Sequence, residues 1–588
     1  MHLDKPEGQP DDKVAWASDV AAQMLRRFGF PYVSLNPGAS YRGLHDSIVN
    51  HLGNVDPGMI LCLHEDHAIG IAHGYAKATG KPMAAIVHSN VGLMHGMMGI
   101  YNAFCDRMPV FIMGATGPVD SHQRRPWIDW IHTSADQGGM VRDIVKFDNQ
   151  PSSAEAIIDA MLRANIMMRT EPCGPTYICL DAGLQESSLD KEITFPDIAR
   201  FQPPAPPRPT REDVARAVAM LKDAKRPVVL FGRGNHSLED WNKRVQLVER
   251  LGACVMTDLK TGAVFPTDHP AHVVEPFNQL GKTARDILGE ADVVLALEWV
   301  DLAGALHPPK GGPKVTAKVI YTSLDQALHN GAHMIFQATP TADLYIAAGA
   351  EAVVSDLLEA LGPSAKKEPW RAAVRRTPKP VTPDRISVEM IATTLRASIK
   401  DHDNYSLAAL CRGWPCDAWP FHNPSAYLGK DGGGGIGSGG ALSIGAALGN
   451  LSLGKKTISV LGDGDFMMGG NSIWTAVKHK IPLMIIINNN QSYFNDELHQ
   501  EVVAKRRNRP VGNRWIGQAI SDPGLDIAKF VEAQGAIGIG PIKTQAELQA
   551  AIKRGLEILD AGGICLLDVH VPPGEDRRDA SSTGVRNT

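Results

Sequence analysis

Short, mainly apolar runs alternate with helix-like segments along the chain, and this alternation restricts its fold more than any other feature. Each run is about five residues long, which suits a buried strand better than a buried helix. Strands that are separated by helices form βαβ units, whose strands are parallel. The runs are residues 83–87, 109–113, 227–231, 292–296, 457–461 and 483–487. The sequence therefore predicts an α/β protein built from doubly wound parallel sheets.

Two proline-rich stretches divide the 588 residues. Residues 201–211 contain five prolines, and residues 369–385 include Pro378, Pro380 and Pro383. Proline clusters favour extended linkers, because proline cannot continue a helix or a central strand. We therefore expect three α/β domains at residues 1–200, 201–367 and 368–588, with a polar tail at the end of the third.

The composition predicts a cytoplasmic protein that binds neither nucleic acid nor membrane. Lys and Arg number 59 against 64 Asp and Glu, giving a net charge of −5, whereas nucleic-acid-binding domains are usually basic. The chain has no apolar run of about 18 residues, and residues 2–12 do not resemble a secretory signal. The eight cysteines form no Cys-x-x-Cys pair, which indicates reduced thiols.

A Gly-Asp-Gly sequence directly follows the predicted strand at residues 457–461. In an open parallel sheet, ligands bind beyond the carboxyl ends of the strands. Gly462 and Gly464 would let backbone N–H groups approach a phosphate, whose charge a following helix start favours. Between them, Asp463 offers a carboxylate oxygen, which is a ligand that Mg²⁺ prefers.

A second polar segment, residues 488–492, follows the next predicted strand, and a helix is predicted before that strand at residues 471–478. Asn490 lies 27 positions after Asp463, so both side chains are expected at the ends of adjacent strands. The amide oxygen of Asn490 and the backbone carbonyl of Ser492 would complete the protein ligands of a metal ion. The order of strands, glycines and asparagines therefore predicts a site for a diphosphate and Mg²⁺.

This segment resembles the diphosphate-binding domain of thiamine-diphosphate-dependent enzymes of the benzoylformate decarboxylase and acetolactate synthase type. The resemblance implies pyrimidine-binding, middle and diphosphate-binding domains, in that order. It implies that Asp463, Asn490 and Ser492 hold Mg²⁺. It also implies that thiamine diphosphate lies against Gly462, Gly464, Asp465, Asn490 and Ser492.

A glycine-rich loop upstream, at residues 432–440, resembles the family's loop beneath the cofactor. In that family a bulky apolar side chain in this loop holds thiamine in its bent form, and Ile436 would have that role here. A nearby glycine carbonyl, which we assign to Gly434, would accept a hydrogen bond from the aminopyrimidine.

An acidic residue in the first domain completes the resemblance. Glu65 follows an apolar strand and precedes a predicted helix at residues 68–78, and residues 63–76 resemble the corresponding helix of the family. The resemblance implies that Glu65 shares a proton with the pyrimidine ring and so activates the cofactor. In the family this acid acts on the cofactor of a neighbouring chain, so a homodimer or homotetramer with active sites between subunits is expected.

His88 and Ser89 follow the next predicted strand and resemble the His-Ser pair that faces the substrate in benzoylformate decarboxylase. We therefore take both as catalytic candidates, with His88 transferring protons. The carboxylate-binding serine of that enzyme matches Ala39 here, and Ser40 comes one residue later. This departure argues against benzoylformate itself as the substrate.

Further candidates for the substrate cavity are less closely tied to the motif. His132 and Gln137 match substrate-facing positions of acetolactate-synthase-like relatives. Phe494, Asn495 and His499 are candidates for the wall of the substrate cavity. The basic run at residues 505–509 would meet a carboxylate, a CoA phosphate or solvent.

The middle domain contains Gly232-Arg233-Gly234 after a predicted strand. It lacks the full Gly-x-Gly-x-x-Gly fingerprint, which disfavours NAD. Relatives of the acetolactate synthase type carry FAD in this domain, whereas decarboxylases leave it empty. The sequence favours an empty domain, with FAD as the alternative.

The leading functional hypothesis is a lyase that decarboxylates a 2-oxo acid non-oxidatively through a thiamine-bound enamine. A carboligase, which joins the same enamine to a second carbonyl compound, is the alternative, together with a 2-hydroxyacyl-CoA lyase-like enzyme. A catalytically silent scaffold is disfavoured, because Glu65, Asp463 and Asn490 are all present.

Overall fold

The computed structural model describes residues 1–11, 13–276, 280–307, 312–325, 338–375 and 385–573. The linker prolines Pro378, Pro380 and Pro383 and the predicted tail beyond residue 573 lie outside these residues. Three parallel sheets follow one another along the chain, as the alternation of strands and helices predicts. In the described part of the chain, no helix is both long and apolar enough to cross a lipid bilayer.

The first sheet has the strand order β2-β1-β3-β4-β6-β5. Its strands are β1 (Tyr32–Leu35), β2 (Gly58–Leu61), β3 (Met83–Ile86), β4 (Val110–Thr116), β5 (Asp148–Asn149) and β6 (Thr176–Asp181). The chain leaves β1 in one direction to form β2 and returns past it to form β3, so the sheet is doubly wound. Every residue of β4 is buried, which explains its continuous apolar sequence.

The second and third sheets have the orders β11-β10-β9-β7-β8 and β12-β13-β14-β16-β15. The second sheet consists of β7 (Pro227–Phe231), β8 (Cys254–Thr257), β9 (Val293–Leu297), β10 (Lys318–Thr322) and β11 (Leu344–Ile346). The third consists of β12 (Tyr405–Ala409), β13 (Lys456–Gly462), β14 (Leu483–Asn489), β15 (Ile537–Ile542) and β16 (Ile564–His570). The predicted fold class is therefore confirmed. The domain boundaries at residues 200 and 367 stay predictions.

Helices cover the faces of all three sheets. Around the first sheet they are α1 (Ala17–Arg27), α2 (Arg42–Asp46), α3 (Glu65–Thr79), α4 (Ser89–Asp106), α5 (Ala154–Arg169) and α6 (Ala182–Gln185). Around the second they are α7 (Arg211–Lys222), α8 (Leu238–Leu251), α9 (Lys282–Glu290), α10 (Leu302–Leu306) and α11 (Ala350–Leu361). Around the third they are α12 (Val388–Ser398), α13 (Gly439–Ser452), α14 (Asp463–Gly469), α15 (Ile473–His479), α16 (Phe494–Arg506), α17 (Ile527–Glu532) and α18 (Gln545–Asp560).

Helices α3 and α13 hold the first and third sheets together at very short range. A Cβ atom on Gly74 would lie 2.0 Å from the carbonyl oxygen of Leu442, and one on Gly445 would lie 1.9 Å from that of Ile71. Side chains at these two positions would overlap backbone, so glycine is what permits this helix spacing. The apolar cores of the two domains merge across this contact.

Candidate active site

The Gly-Asp-Gly turn lies where the sequence predicts it, at the carboxyl end of β13. Asp463 is buried, and its Oδ1 accepts a hydrogen bond from the N–H of Gly464 at 2.9 Å. Its Oδ2 is also buried and has no hydrogen-bond partner among the described residues. Burial raises the pKa of Asp463 to about 6, although backbone N–H groups of Gly464, Gln491 and Ser492 oppose the shift. A buried carboxylate oxygen without a partner suits a cation ligand.

The second half of the motif lies at the end of the neighbouring strand. Gly462 of β13 pairs in register with Asn488 of β14, so the two strand ends share one edge of the sheet. Asn490 Oδ1 accepts the N–H of Ser492 at 3.0 Å, which leaves one lone pair of this oxygen for a metal. Asn488 Oδ1 is buried without a described partner. This set of hard oxygen donors fits Mg²⁺.

The glycine-rich loop is fixed to α14 by Asp465. Its Oδ1 accepts the N–H of Gly437 at 2.6 Å, and a Cβ atom on Gly439 would lie 2.8 Å from its Oδ2. Gly437 has φ +107°, a conformation that side chains other than glycine's rarely adopt. Asp465 therefore positions the loop, in which Ile436 is 48% exposed and Gly434 faces open space. An exposed isoleucine between glycines fits a support for a flat apolar ligand.

Glu65 is the first residue of α3, which begins earlier than the predicted residue 68. His64 caps the helix by accepting the N–H of Asp66 at 3.1 Å. The Glu65 side chain is buried, and its Oε2 lies 3.2 Å from Nδ1 of the exposed His95. A Cβ atom on Gly92 of α4 would lie 2.7 Å from Glu65 Oε1 and 2.9 Å from the Cβ of His88. Glu65 and His88 therefore flank the same glycine.

His88 precedes α4 and is half-buried, with Ser40 on one side of its ring. Ser40 Oγ lies 2.8 Å from His88 Nδ1, and the ring of His132 meets that of His88 edge-on at 4.8 Å between centroids. Burial lowers the pKa of His88, and the nearby His132 and Arg125 lower it further, whereas Glu65 raises it. His88 is therefore mainly neutral near pH 7. The hydroxyl of the adjacent Ser89 is buried without a described partner.

The loop that carries His132 is held by an ion pair and by α4. Arg125 binds the buried Asp129 at 2.8 Å, and the Asn90 amide donates to the carbonyl of Ile131 at 3.0 Å. These contacts place His132 beside His88 as a second imidazole of the candidate site. Gln137, in contrast, is fully buried, with its amide donating to the carbonyl of Ala115, so it packs inside the domain.

The remaining candidates lie along α16. Phe494 is buried, with the guanidinium of Arg514 5.6 Å above its ring, and Asn495 Oδ1 is buried without a described partner. His499 lies one turn further along and is partly exposed. Lys505 forms an ion pair with Glu501, so it has a partner within its own helix.

The Gly232-Arg233-Gly234 turn of the middle domain serves contacts within the chain. A Cβ atom on Gly232 would lie 1.8 Å from the carbonyl oxygen of Glu298. Arg233 binds Asp325 at 2.6 Å, and Arg107 from the end of α4 binds the same carboxylate at 2.7 Å. The glycine is therefore required by packing, and the arginine is committed to an ion pair. These contacts provide no support for a dinucleotide at this turn.

Three family models match the chain. The model described as "Thiamine pyrophosphate enzyme, N-terminal TPP binding domain" covers residues 15–140, the one for the central domain covers residues 214–305, and the one for the C-terminal TPP binding domain covers residues 409–569. The chain belongs to the thiamine pyrophosphate enzyme family.

Relatives of this thiamine pyrophosphate enzyme match it over nearly its whole length. The acetolactate synthase large subunit of Haemophilus influenzae is 24% identical over 589 residues, which is 95% of each protein. The acetolactate synthase isozyme 1 large subunit of Escherichia coli is 26% identical over 597 residues, covering 97% of this chain and 96% of that one.

Solved structures share the fold. Benzoylformate decarboxylase from Polynucleobacter necessarius superposes with a TM-score of 0.80 at 19% identity, over 96% of this chain and 100% of the other. The thiamine diphosphate-dependent 4-hydroxybenzoylformate decarboxylase of Rhodococcus jostii gives 0.77 at 20% identity, over 95% and 100%.

The sequence did not predict the contact between His95 and Glu65. The sequence pattern that could have indicated this contact lies in α4. There, Gly92, Gly96 and Gly99 recur at intervals of four and three residues and so share one helix face. Such a face permits close approach of a neighbouring helix. His95 is next to this face and therefore reaches the start of α3.

Proposed function

We propose that this enzyme catalyses the non-oxidative decarboxylation of a 2-oxo acid with thiamine diphosphate and Mg²⁺. The observation that carries the proposal is that a buried carboxyl group, Glu65, and the imidazole of His88 flank one glycine. A carboxyl group and a neutral imidazole side by side can move protons near neutral pH.

The two cofactors would be held by residues at the third sheet. Asp463, Asn490 and the Ser492 carbonyl would bind Mg²⁺, while Gly462 and Gly464 would admit the diphosphate. Asp465 would fix the loop that carries Gly434 and Ile436. Thiamine diphosphate supplies a nucleophilic carbon and an electron sink for the carbon–carbon bond that breaks.

The protein residues supply the proton transfers. Glu65 would hold a proton for the pyrimidine ring, and its burial keeps water from competing for that proton. His88 would deliver a proton to the product side after carbon dioxide leaves. Ser89, whose buried hydroxyl has no described partner, would bind a polar group of the substrate.

We propose that two copies of the chain form the active sites together. Apolar side chains are exposed around both halves of the candidate site: Leu63 and Met94 near Glu65 are 45% and 52% exposed, and Met468 beside the cofactor loop is 58% exposed. A second copy would remove this apolar surface from water. Whether the assembly is a dimer or a tetramer is decided by sedimentation.

Subunit mixing tests the shared site. Glu65→Gln and Asp463→Ala chains should each be inactive alone. In a mixed dimer, one of the two sites would combine an intact Glu65 with an intact Asp463, so activity should return after the subunits are exchanged. Active sites contained within single chains would give no activity in the mixture.

A carboligase is the second candidate, because the relatives described above are acetolactate synthases. Product analysis separates the two reactions: each of a panel of aliphatic and aromatic 2-oxo acids is incubated with and without an acceptor aldehyde or oxo acid. We expect free aldehyde as the main product. A 2-hydroxyketone or an acetohydroxy acid as the main product would overturn the decarboxylase in favour of the carboligase. The absorption spectrum of the purified protein shows separately whether FAD is bound.

A further inference from the structure

Ser40 occupies a position with little freedom for its hydroxyl proton. It lies in the 3-10 turn Ala39–Tyr41 and is only 4% exposed. Its Oγ accepts the backbone N–H of Ser89 at 3.0 Å and lies 2.8 Å from His88 Nδ1. The turn, the start of α4 and the imidazole therefore meet at one hydroxyl group.

The hydrogen-bonding capacity of this hydroxyl determines the direction of the second bond. A serine hydroxyl has one proton to donate and two lone pairs. One lone pair receives the N–H of Ser89, and His88 Nδ1 is the acceptor that the described residues place within reach of the proton. A neutral imidazole carries one proton, so an Nδ1 that accepts from Ser40 requires the proton to be on Nε2.

We propose that Ser40 is a positioning residue that holds neutral His88 in the tautomer with its proton on Nε2. The opposite arrangement, with Nδ1–H donating to Ser40, would leave the buried serine proton without a described acceptor, which is unfavourable. Protonated His88 would meet the same difficulty. Ser40 therefore favours a ring that is both neutral and oriented.

The charged and titratable groups around the ring act on its charge in opposite directions. His132 and Arg125, from the loop that follows β4, disfavour a positive charge on His88. Glu65 at the start of α3 favours that charge and opposes them. Burial of the ring is the main cause of its neutral form, and His132 and Arg125 add to it, whereas the choice between the two neutral tautomers comes from Ser40.

The consequence for catalysis rests on the proposed function. The ring would present its Nε2–H to the substrate cavity, so it is a hydrogen-bond donor there, and the proton that Nε2 passes to the product would be replaced from solvent. Because the Ser40 hydroxyl is used by His88, it is not free to bind a substrate carboxylate.

The tautomer of His88 can be determined by NMR without measuring catalytic activity. Protein with ¹³C,¹⁵N-labelled histidine is sedimented and studied by magic-angle-spinning NMR, and His88→Gln identifies the His88 signals by difference. We expect Nε2 to be protonated and Nδ1 unprotonated in the native protein. Ser40→Ala should give a mixture of tautomers, and Ser40→Thr, which keeps a hydroxyl, should restore the native pattern.

Ser89→Ala is the matched control for this spectrum, because it removes a hydroxyl but retains the backbone N–H that binds Ser40. Its His88 tautomer should stay native. A native His88 with its proton on Nδ1, or an unchanged tautomer in Ser40→Ala, would overturn the proposal.

Kinetics provide the second readout. Ser40→Ala should lower kcat about fivefold, the factor expected for one ordinary hydrogen bond, and exchange of the His88 C2 proton, followed by mass spectrometry, should show a higher pKa. If the spectra agree with the proposal but no 2-oxo acid is turned over by native protein, the proposed function fails while the tautomer assignment stands.

Discussion

A methyl group at Gly92 is the smallest change that should disturb the candidate site without replacing a reactive group. In Gly92→Ala, the new Cβ would lie 2.7 Å from Glu65 Oε1 and 2.9 Å from the Cβ of His88. Ordinary contacts of a Cβ atom begin near 3.4 Å. Glu65 would therefore have to move by about 0.7 Å, and a 1 Å displacement of a catalytic group costs roughly a hundredfold in rate. We expect kcat/KM to fall between about tenfold and a hundredfold.

Stability should change much less than activity in this variant. Alanine in a helix interior is favoured over glycine by about 1 kcal/mol, which offsets part of the ~1–3 kcal/mol that overpacking usually costs. The protein should therefore fold, and thiamine diphosphate should still bind to the third sheet. Steady-state kinetics, thermal unfolding and a cofactor titration together separate these effects.

Gly96→Ala is the matched control, one turn later in the same helix. Its Cβ would meet the end of the flexible Ile69 side chain at 2.5 Å, and the Cβ of Glu65 is 3.8 Å away. We expect nearly native activity. Equal losses in both variants would mean that α4 moves as a whole. Native activity in Gly92→Ala would refute the placement of Glu65 beside this glycine.

Three further substitutions test separate parts of the structure. Glu65→Gln keeps the size of a buried side chain but removes its acid, so kcat should fall at least about 100-fold while the thermal midpoint stays unchanged. Asp463→Ala should abolish Mg²⁺-dependent binding of thiamine diphosphate in calorimetry, whereas the exposed Asp496→Ala, its control, should bind normally. Burial lowers the pKa of His272 from 6.5 to about 3, so the unfolded chain binds a proton there that the folded chain refuses. The free energy of unfolding should therefore fall as the pH drops from 6.5 towards 3, by about 1.4 kcal/mol per unit from this group. Denaturant unfolding of His272→Gln, which can still bind Thr257, should show a smaller pH dependence; an unchanged one would contradict this assignment.

The strands could be predicted closely because their residues are buried on both faces. Strand β7 (Pro227–Phe231) coincides with its predicted run. Strand β13 is longer than its predicted run by one residue at each end, and β14 is longer by two residues at its carboxyl end. The helix predicted at residues 471–478 was less accurate: a 3-10 turn at Gly470–Ser472 precedes α15, which occupies Ile473–His479. Gly469 and Gly470, which precede α15, weaken the start of the helix. The periodicity of apolar residues does not show this effect.

The two halves of the candidate site differ in how far sequence determines them. Asp463 and Asn490 come together because parallel strands end at a common edge, which follows from strand order alone. The contact between Ser40 and His88 depends instead on a 3-10 turn. Matching by position aligned the substrate-side serine with Ala39, but the turn directs the next side chain, Ser40, at the imidazole. A shift of one residue is visible only in three dimensions.

The relation between Glu65 and His88 depends on residues that have no functional group. They approach each other because α4 lies close to α3, and that spacing is set by Gly92, Gly96 and Gly99: a Cβ on the last would lie 2.9 Å from Asp66 Oδ1. In the proposed mechanism, cofactor binding depends on the third sheet, whereas activation depends on this helix pair. A chain that kept Asp463 and Asn490 but carried larger side chains along this face of α4 should therefore bind thiamine diphosphate and fail to use it.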